Sequence, residues 1–311
     1  MKTLFQKILL LVFVAIFMNY FLLAQGKGED QQTATPIRLG YSTIIFQDSK
    51  PEDANAAIVV WAKVLQKNLL LEYNKKIEFI PHLYTSIEAM QGALQKKEVD
   101  ILGITFPDYY ALKEKFNLVP CIAGLIDENI YSQYVLLTRY DSGFNNLTNL
   151  SQKSLAQPNV NQNPFIDIWL SNLLSLQKKT TKKSFFNKVK IEDRESNAVY
   201  SVFFKKSDCA IVLKKTFDVI CMLNPQIKKS VKIIETSPNL VLSFAVYRQE
   251  AEPSRVKLFI DGAKGAHLTS DGNNILKVFK VKKLIEISEK DLESTKHVMD
   301  LYYKNHNKRK I

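Results

Sequence analysis

The sequence predicts an α/β protein of two lobes joined by two crossing strands, with a ligand cleft between the lobes. Three observations carry that expectation. Past residue 35, short apolar runs alternate with helical patterns, the rhythm of a mostly parallel sheet covered on both faces. Two long extended runs, 131–139 and 241–248, bracket a second stretch with the same alternation. The length, 311 residues, suits two domains or one two-lobed domain at roughly 100–200 residues each. The implied division is 36–130 with 245–311 for the first lobe and 131–244 for an inserted second lobe.

Each element has its own local reason. Ile37–Ser42 is an apolar run after a polar stretch and reads as a strand. Pro51–Tyr73 reads as a helix, with Pro51 suited to its first turn and Ala57, Val60, Trp61, Val64 and Leu65 on one face. A strand over 76–80, a helix over 87–97, a strand over 99–104, a helix over 107–116 and a strand over 118–123 complete the first pass. Inside the second stretch the pattern gives a strand over 154–157, a helix over 164–176 and a basic loop and strand through Val189. A helix over 195–204, the strand Cys209–Leu213 and a helix over 216–223 follow. Helices over 253–264 and 288–303 close the chain.

Composition removes several function classes. With 46% hydrophobic and 24% charged residues, the chain is neither disordered nor collagen-like nor a coiled coil. Its ten glycines are scattered, and neither GxGxxG nor GxxxxGK[ST] occurs, so the loops that cradle nucleotide phosphates are missing. Four histidines and three cysteines leave little material for a metal site, and His82 has no second ligand at metal spacing. Neither GxSxG nor HExxH is present. No cofactor and no enzymatic chemistry are expected.

The formal charge is +12, and residues 131–244 hold 16 Lys+Arg against 8 Asp+Glu. The basic excess therefore sits in the inserted lobe. The run 178–190 has only charge in common with a nucleic-acid patch, and a solvated face is its simpler reading. Partners of nucleic-acid type are not expected.

Lys2 and Lys7 precede an apolar run over 8–24 that is uninterrupted over 8–18. A charged start, an apolar core and a small residue at Ala24 make an export segment. It is either a cleaved signal peptide or a retained membrane anchor; 17 residues reach ~25 Å against a ~30 Å hydrocarbon core. Residues 25–35 form a polar linker, and membrane contact is expected only through the segment before it. Three cysteines leave at least one thiol unpaired within the chain. Cys209 falls in a buried strand, so buried free thiols are expected, with a Cys209–Cys221 pairing left open.

Four stretches resemble the phosphate/phosphite/phosphonate-type periplasmic substrate-binding proteins of ABC transporters. Ile37-Arg38-Leu39-Gly40 is similar to their first strand. SIEAMQGALQKKEVDILGITFPDYYALKEK (86–115) resembles their helix, Val-Asp strand and following helix, centred on Val99-Asp100-Ile101. YSQYVLLTRYDSGFNNLTNL (131–150) resembles the crossing strand and its turn, and SDGNNILKVFKVKKLIEISEKDLE (270–293) the C-terminal segment. The resemblance implies a type II periplasmic-binding-protein fold. It also implies hinged capture of a small ligand for an ABC permease.

Candidate ligand-binding residues come from both sources. Open α/β sheets bind ligands at the carboxyl ends of their strands. That rule selects Ser42 and Thr43 as donors, Tyr41 as a pocket wall, and Thr105 after the third strand. Each also has an ordinary reading as a polar or packed strand end. The resemblance adds three positions that depart from the family pattern. Asn163, before Pro164 and Phe165, stands where phosphonate binders carry Ser-Thr-Ser at a helix start. Arg194 stands at a family histidine, and Lys214 or Lys215 at an acid that meets a ligand amine. Losing the acid and gaining cations favours a small anionic ligand, because Arg forks onto carboxylate or phosphate. A membrane-tethered ligand sensor on the same fold is the alternative to a transport component. A monomer is expected in either case.

Overall fold

Five of the six residues of β1 (Ile37–Ser42) are buried, as its apolar sequence requires of a strand with neighbours on both edges. The computed structural model describes residues 36–46, 49–159, 164–176 and 181–307. The expected export segment (1–24), the linker (25–35) and Asn163 lie outside the described residues. A short 3-10 turn follows β1 and leads to α1 (Pro51–Tyr73). Pro51 sits in the first turn with Glu52 and Asp53, where carboxylates complement the helix dipole. Asn74 ends the helix in the left-handed conformation at φ 50°.

The buried face of α1 runs Ala54, Ala57, Ile58, Trp61, Leu65 and Leu69. Val60, expected on that face, is 47% exposed. It lies about 100° around the helix from Trp61, at the rim of the apolar stripe, and Ile58 takes the inner place.

The strand expected over 76–80 starts later, as β2 (Phe79–Tyr84), and runs through Pro81. It is the outermost strand of its sheet, paired on one side only with β1. A proline lacking its N–H is tolerated there. Ser86 caps α2 (Ile87–Gln95) by accepting from the Ala89 amide at 3.2 Å. β3 (Ile101–Thr105) is buried throughout, α3 (Phe106–Phe116) follows without a break, and β4 (Leu118–Leu125) completes the first pass.

The inserted lobe contains β5 (Tyr134–Arg139), β6 (Ser154–Pro158), α4 (Pro164–Ser175), α5 (Lys182–Phe185) and β7 (Lys188–Glu192). It continues with α6 (Glu195–Phe203), β8 (Cys209–Leu213), α7 (Lys214–Leu223), α8 (Pro225–Ser230) and β9 (Val231–Thr236). The chain then returns as β10 (Ser243–Arg248), α9 (Pro253–Gly265), α10 (Ser270–Val278), β11 (Lys283–Glu286) and α11 (Glu293–Asn307). The helix expected over 288–303 is split: a 3-10 turn stapled by reciprocal Ser288 and Asp291 bonds precedes α11.

The first sheet has the order β11-β4-β10-β3-β1-β2, and the second β7-β6-β8-β5-β9. In the first, β1 runs parallel to β2 and β3, while β10 is antiparallel to β3 and β4. In the second, β6 is parallel to β7 and β8, and β5 is antiparallel to β8 and β9. The carboxyl ends of the parallel strands in both sheets therefore lie on the side where the chain crosses between lobes. This is the two-lobed α/β fold that the alternation predicts, with mixed sheets in place of the mostly parallel ones expected, because β10 and β5 enter from the crossings and run against their neighbours. All three cysteines are free and buried.

Two connections, 126–133 and 237–242, carry the crossings, and they are bonded to each other. Ser132 and Leu240 exchange backbone bonds of 2.8 and 2.9 Å, and the Tyr134 amide donates to Ser237 Oγ at 2.9 Å. The Phe106 amide donates to the Leu242 carbonyl at 3.0 Å. Apolar packing runs through the same joint. Phe106 and Phe165, 1% and 2% exposed, come from opposite lobes and meet with ring centroids 6.1 Å apart. Burying an aromatic ring stabilises by about 2–3 kcal/mol, against about 1 kcal/mol net for a hydrogen bond. The joint is held mainly by its apolar contact.

α11 adds a second tie. Tyr303 stacks on Tyr110 of α3 at 5.3 Å and 9°. Thr295 Oγ1 accepts from the Val241 amide of a crossing at 2.8 Å. On the second lobe, Asn172 Nδ2 of α4 donates to the Val298 carbonyl at 2.8 Å, and Asn305 Nδ2 donates to Ser175 Oγ at 2.7 Å.

Candidate functional site

β1 and β3 end side by side, since Tyr41 pairs with Gly103 in register. That brings Ser42 and Thr43 next to Thr105. Ser42 is 2% exposed, and its Oγ accepts only a long 3.4 Å bond from the Ile44 amide, leaving its hydroxyl proton free to donate. Thr105 caps α3: its Oγ1 accepts from the Asp108 amide at 3.4 Å and donates to the Asp108 carboxylate at 2.8 Å. Burial pushes the Asp108 carboxyl above its ordinary range, although the Thr105 bond pulls the other way.

Tyr41 faces the opposite way from the expected wall. Its side chain shares the face of Ile37 and Leu39 and packs in the core beneath α1. The ring lies on Gly103, where a Cβ would come within 2.6 Å of it, and meets Phe46 edge-on at 6.4 Å. Burial pushes the phenol far above its ordinary pKa. Strand alternation puts Tyr41 and Ser42 on opposite faces, and α1 covers the one that Tyr41 takes.

In the second lobe, the strand ends present Gln157 and Pro158 on β6, Glu192 on β7 and Leu213 on β8. Glu195, in the first turn of α6, ties two of these edges together: its carboxylate accepts from the Leu213 amide at 3.3 Å and from the Thr216 hydroxyl. Arg194 is the cap position of α6, exposed, and makes no side-chain cap bond. Lys214, expected as an anion partner, is instead paired with Asp218 one turn along α7, at 2.6 Å. Lys215 reaches across to Asp127 of a crossing at 3.0 Å. Both lysines thus hold a carboxylate in exposed ion pairs.

One polar residue at these edges escaped the sequence reading. Gln157 is 0% exposed, and neither its Oε1 nor its Nε2 has a hydrogen-bond partner. The signal was present: a glutamine inside the strand Ser-Leu-Ala-Gln-Pro, at an inward position.

Cavities of about 220 and 350 Å³ lie elsewhere, at the amino edge of the first sheet, lined by residues such as Asp100, Arg248, Glu250 and Arg255 or Tyr247, Lys257 and Glu286. The amino edge is a structural ion cluster. Asp100 accepts from the Arg38 amide at 2.8 Å, from its Nε at 3.1 Å and Nη2 at 2.8 Å, and from Arg255 Nη2 at 3.2 Å. Burial alone would push the Asp100 carboxyl up, but these guanidinium bonds outweigh it and hold the pKa below the ordinary range. The Val-Asp strand that carries the resemblance is thus explained by packing and charge, away from the carboxyl ends.

Comparison with known proteins agrees with this geometry. A search among curated proteins found no match. A binding protein component of an ABC phosphonate transporter from Pseudomonas aeruginosa superposes with a TM-score of 0.60 at 12% identity, over 87% of this chain and 88% of that one. PhnD1 from Prochlorococcus marinus, in complex with methylphosphonate, gives 0.58 at 13% identity over 84% and 96%. The periplasmic aliphatic sulphonate binding protein SsuA of Escherichia coli gives 0.52 at 13% identity over 87% and 87%. At such identities these likenesses establish the fold alone. The family model described as "ABC transporter, phosphonate, periplasmic substrate-binding protein" matches residues 44–292. The chain therefore belongs to the periplasmic substrate-binding components of phosphonate-type ABC transporters, a family of binding proteins and not of enzymes.

Proposed function

We propose that the protein captures a small oxyanion of the phosphonate or sulfonate kind between its lobes and delivers it to an ABC permease. The observation that carries this reading is the convergence of strand carboxyl ends from both sheets on a joint made of two bonded crossings. Sheets of this type bind ligands at that edge, and two lobes on such a joint close like a hinge. Ser42 and Thr43 supply hydroxyls from the first lobe, and Thr105, whose proton goes to Asp108, lines the same edge. In the second, Arg194 stands exposed at the start of α6 and is the proposed cation for an oxyanion, with Asn163 as a further donor. The protein acts outside the cytoplasm as a monomer, with the N-terminal apolar segment as its membrane contact.

The test is a thermal-shift titration of the full-length protein with phosphate, methylphosphonate, methanesulfonate and acetate. An anion at ~100 times its dissociation constant stabilises the fold by ~2.7 kcal/mol. Arg194→Ala should abolish that shift while leaving the empty protein within about 0.5 kcal/mol of wild type, as for an exposed residue. Silence across the panel would sink the transport reading and favour a ligand sensor on the same fold.

A further inference from the structure

We infer that Gln157 contacts the ligand in this cleft and reads a protonated oxyanion, one with an O–H and an acceptor oxygen side by side. The inference rests on the cleft reading above and names the ligand class of that site.

Gln157 is the next-to-last residue of β6, at the carboxyl end, where the sheet turns toward α4. Successive strand residues alternate faces. Ala156 faces the core built with Ala198, Val199 and Val202 of α6. Leu155 faces the core shared with Phe165, Ile166 and Trp169 of α4. Gln157 therefore shares with Leu155 the face that α4 covers, at the end of the strand from which the chain leads to α4.

Its isolation is unusual in this molecule. Asn68 and Asn172 each bury an unpartnered oxygen, but each uses its amide nitrogen, on Gly262 and Val298 respectively. Among the described residues with buried unpartnered side-chain atoms, Gln157 alone has both ends of an amide unmet. Other polar groups on the same strands are satisfied. Glu192, in register with Pro158, accepts from Lys190 and Ser201. Ser154, at the opposite end of β6, is closed on Asp208. An amide buried without partners costs stability, and a leucine would fill the same place on this apolar face without that cost.

A bound group that meets the amide must satisfy both of its ends. The Nε2 protons need an acceptor, and Oε1 needs a donor. A monoprotonated phosphonate offers both, as P–O⁻ and P–O–H. A sulfonate carries no proton near neutrality, so it meets Nε2 but sets an oxygen against Oε1. The geometry points to preference for the phosphonate.

The experiment uses the full-length protein and Gln157→Leu, with Gln157→Met as an unbranched second variant. Each is melted empty and titrated with methylphosphonate and methanesulfonate. The expected wild type binds methylphosphonate about tenfold or more tighter than methanesulfonate. The variants should lose about tenfold or more for methylphosphonate and less than about threefold for methanesulfonate. Their empty melting temperatures should equal or exceed that of wild type. A lower melting temperature in both variants, or failure of both to fold, overturns the inference by making Gln157 structural. Equal losses for the two anions, or unchanged methylphosphonate binding, overturn it as well. Wild type binding neither anion fails the cleft reading itself, and the inference with it; wild type binding while the variants bind equally well fails the inference alone.

Discussion

The two edges of the sheets differ in the polar groups they leave unmet. At the amino edge of the first sheet, Asp100 accepts four bonds from Arg38 and Arg255. At the amino edge of the second, Asp208 and Ser154 exchange three bonds of 2.6 to 3.0 Å. At the carboxyl edges, Thr105, Glu192 and Glu195 are bonded to neighbours, but Ser42 holds one long bond and Gln157 none. The groups differ in depth as well: the Asp100 and Arg38 side chains are 15% and 40% exposed, whereas Ser42 and Gln157 are 2% and 0% exposed. An edge that only holds the fold together closes its polar groups on one another. On the proposed reading, the two unmet groups at the carboxyl edges await a ligand and forgo the stability that a partner would add.

This contrast can be broken by substitution, and the largest effect belongs to the amino edge. Asp100→Ala leaves two partly buried guanidiniums without their shared carboxylate and should cost about 2–3 kcal/mol, measured by urea denaturation. The pH dependence follows from the depressed Asp100 pKa. Its contribution is fully present above the unfolded carboxylate value, about 3.9, and is lost as pH falls through the lower folded value. The gap between wild type and Asp100→Ala should therefore be widest at neutral pH and close in acid, while anion binding at neutral pH is retained.

Asp208→Ala, which opens the other amino edge, should cost about 1–2 kcal/mol by the same measurement. Thr105→Ala removes a helix cap and should cost about 1 kcal/mol, with a loss of anion binding beyond what that destabilisation explains. Ser42→Ala should cost about 0.5 kcal/mol or less and still weaken binding in a titration calorimeter. Lys214→Ala removes only an exposed pair one helical turn apart and should change stability by less than about 0.5 kcal/mol, with binding untouched. If Ser42→Ala cost as much as Asp100→Ala, the difference between the edges would be gone.

Much of the fold is legible in particular runs of residues. Alternation separates Ile101–Thr105 as a fully buried strand and Pro51–Tyr73 as an amphipathic helix. Their boundaries come from local chemistry, a proline at one end and a left-handed asparagine at the other. The strand at Phe79–Tyr84 was less legible because Pro81 argues against a strand unless its place at the sheet edge is known. For the site, the rule that ligands meet strand carboxyl ends selected Ser42 and Thr105 from separate strands, and the β1–β3 register brings those strand ends side by side. It did not say that Tyr41 turns inward, because that depends on which face of the strand α1 covers.

What the sequence by itself determined is the alternation of elements and the two-lobed organisation. Those follow from periodicity and chain order, which are local properties. Only the tertiary structure decided which polar groups are spent. Lys214 is neutralised by Asp218, one turn away on its own helix, and Lys215 by Asp127 from a crossing. Gln157 is left with nothing, although it sits in the same sheet as the closed Ser154–Asp208 pair. Whether a donor is free depends on what lies within about 3 Å of it, and residues that distant in the chain become neighbours only when the sheets form.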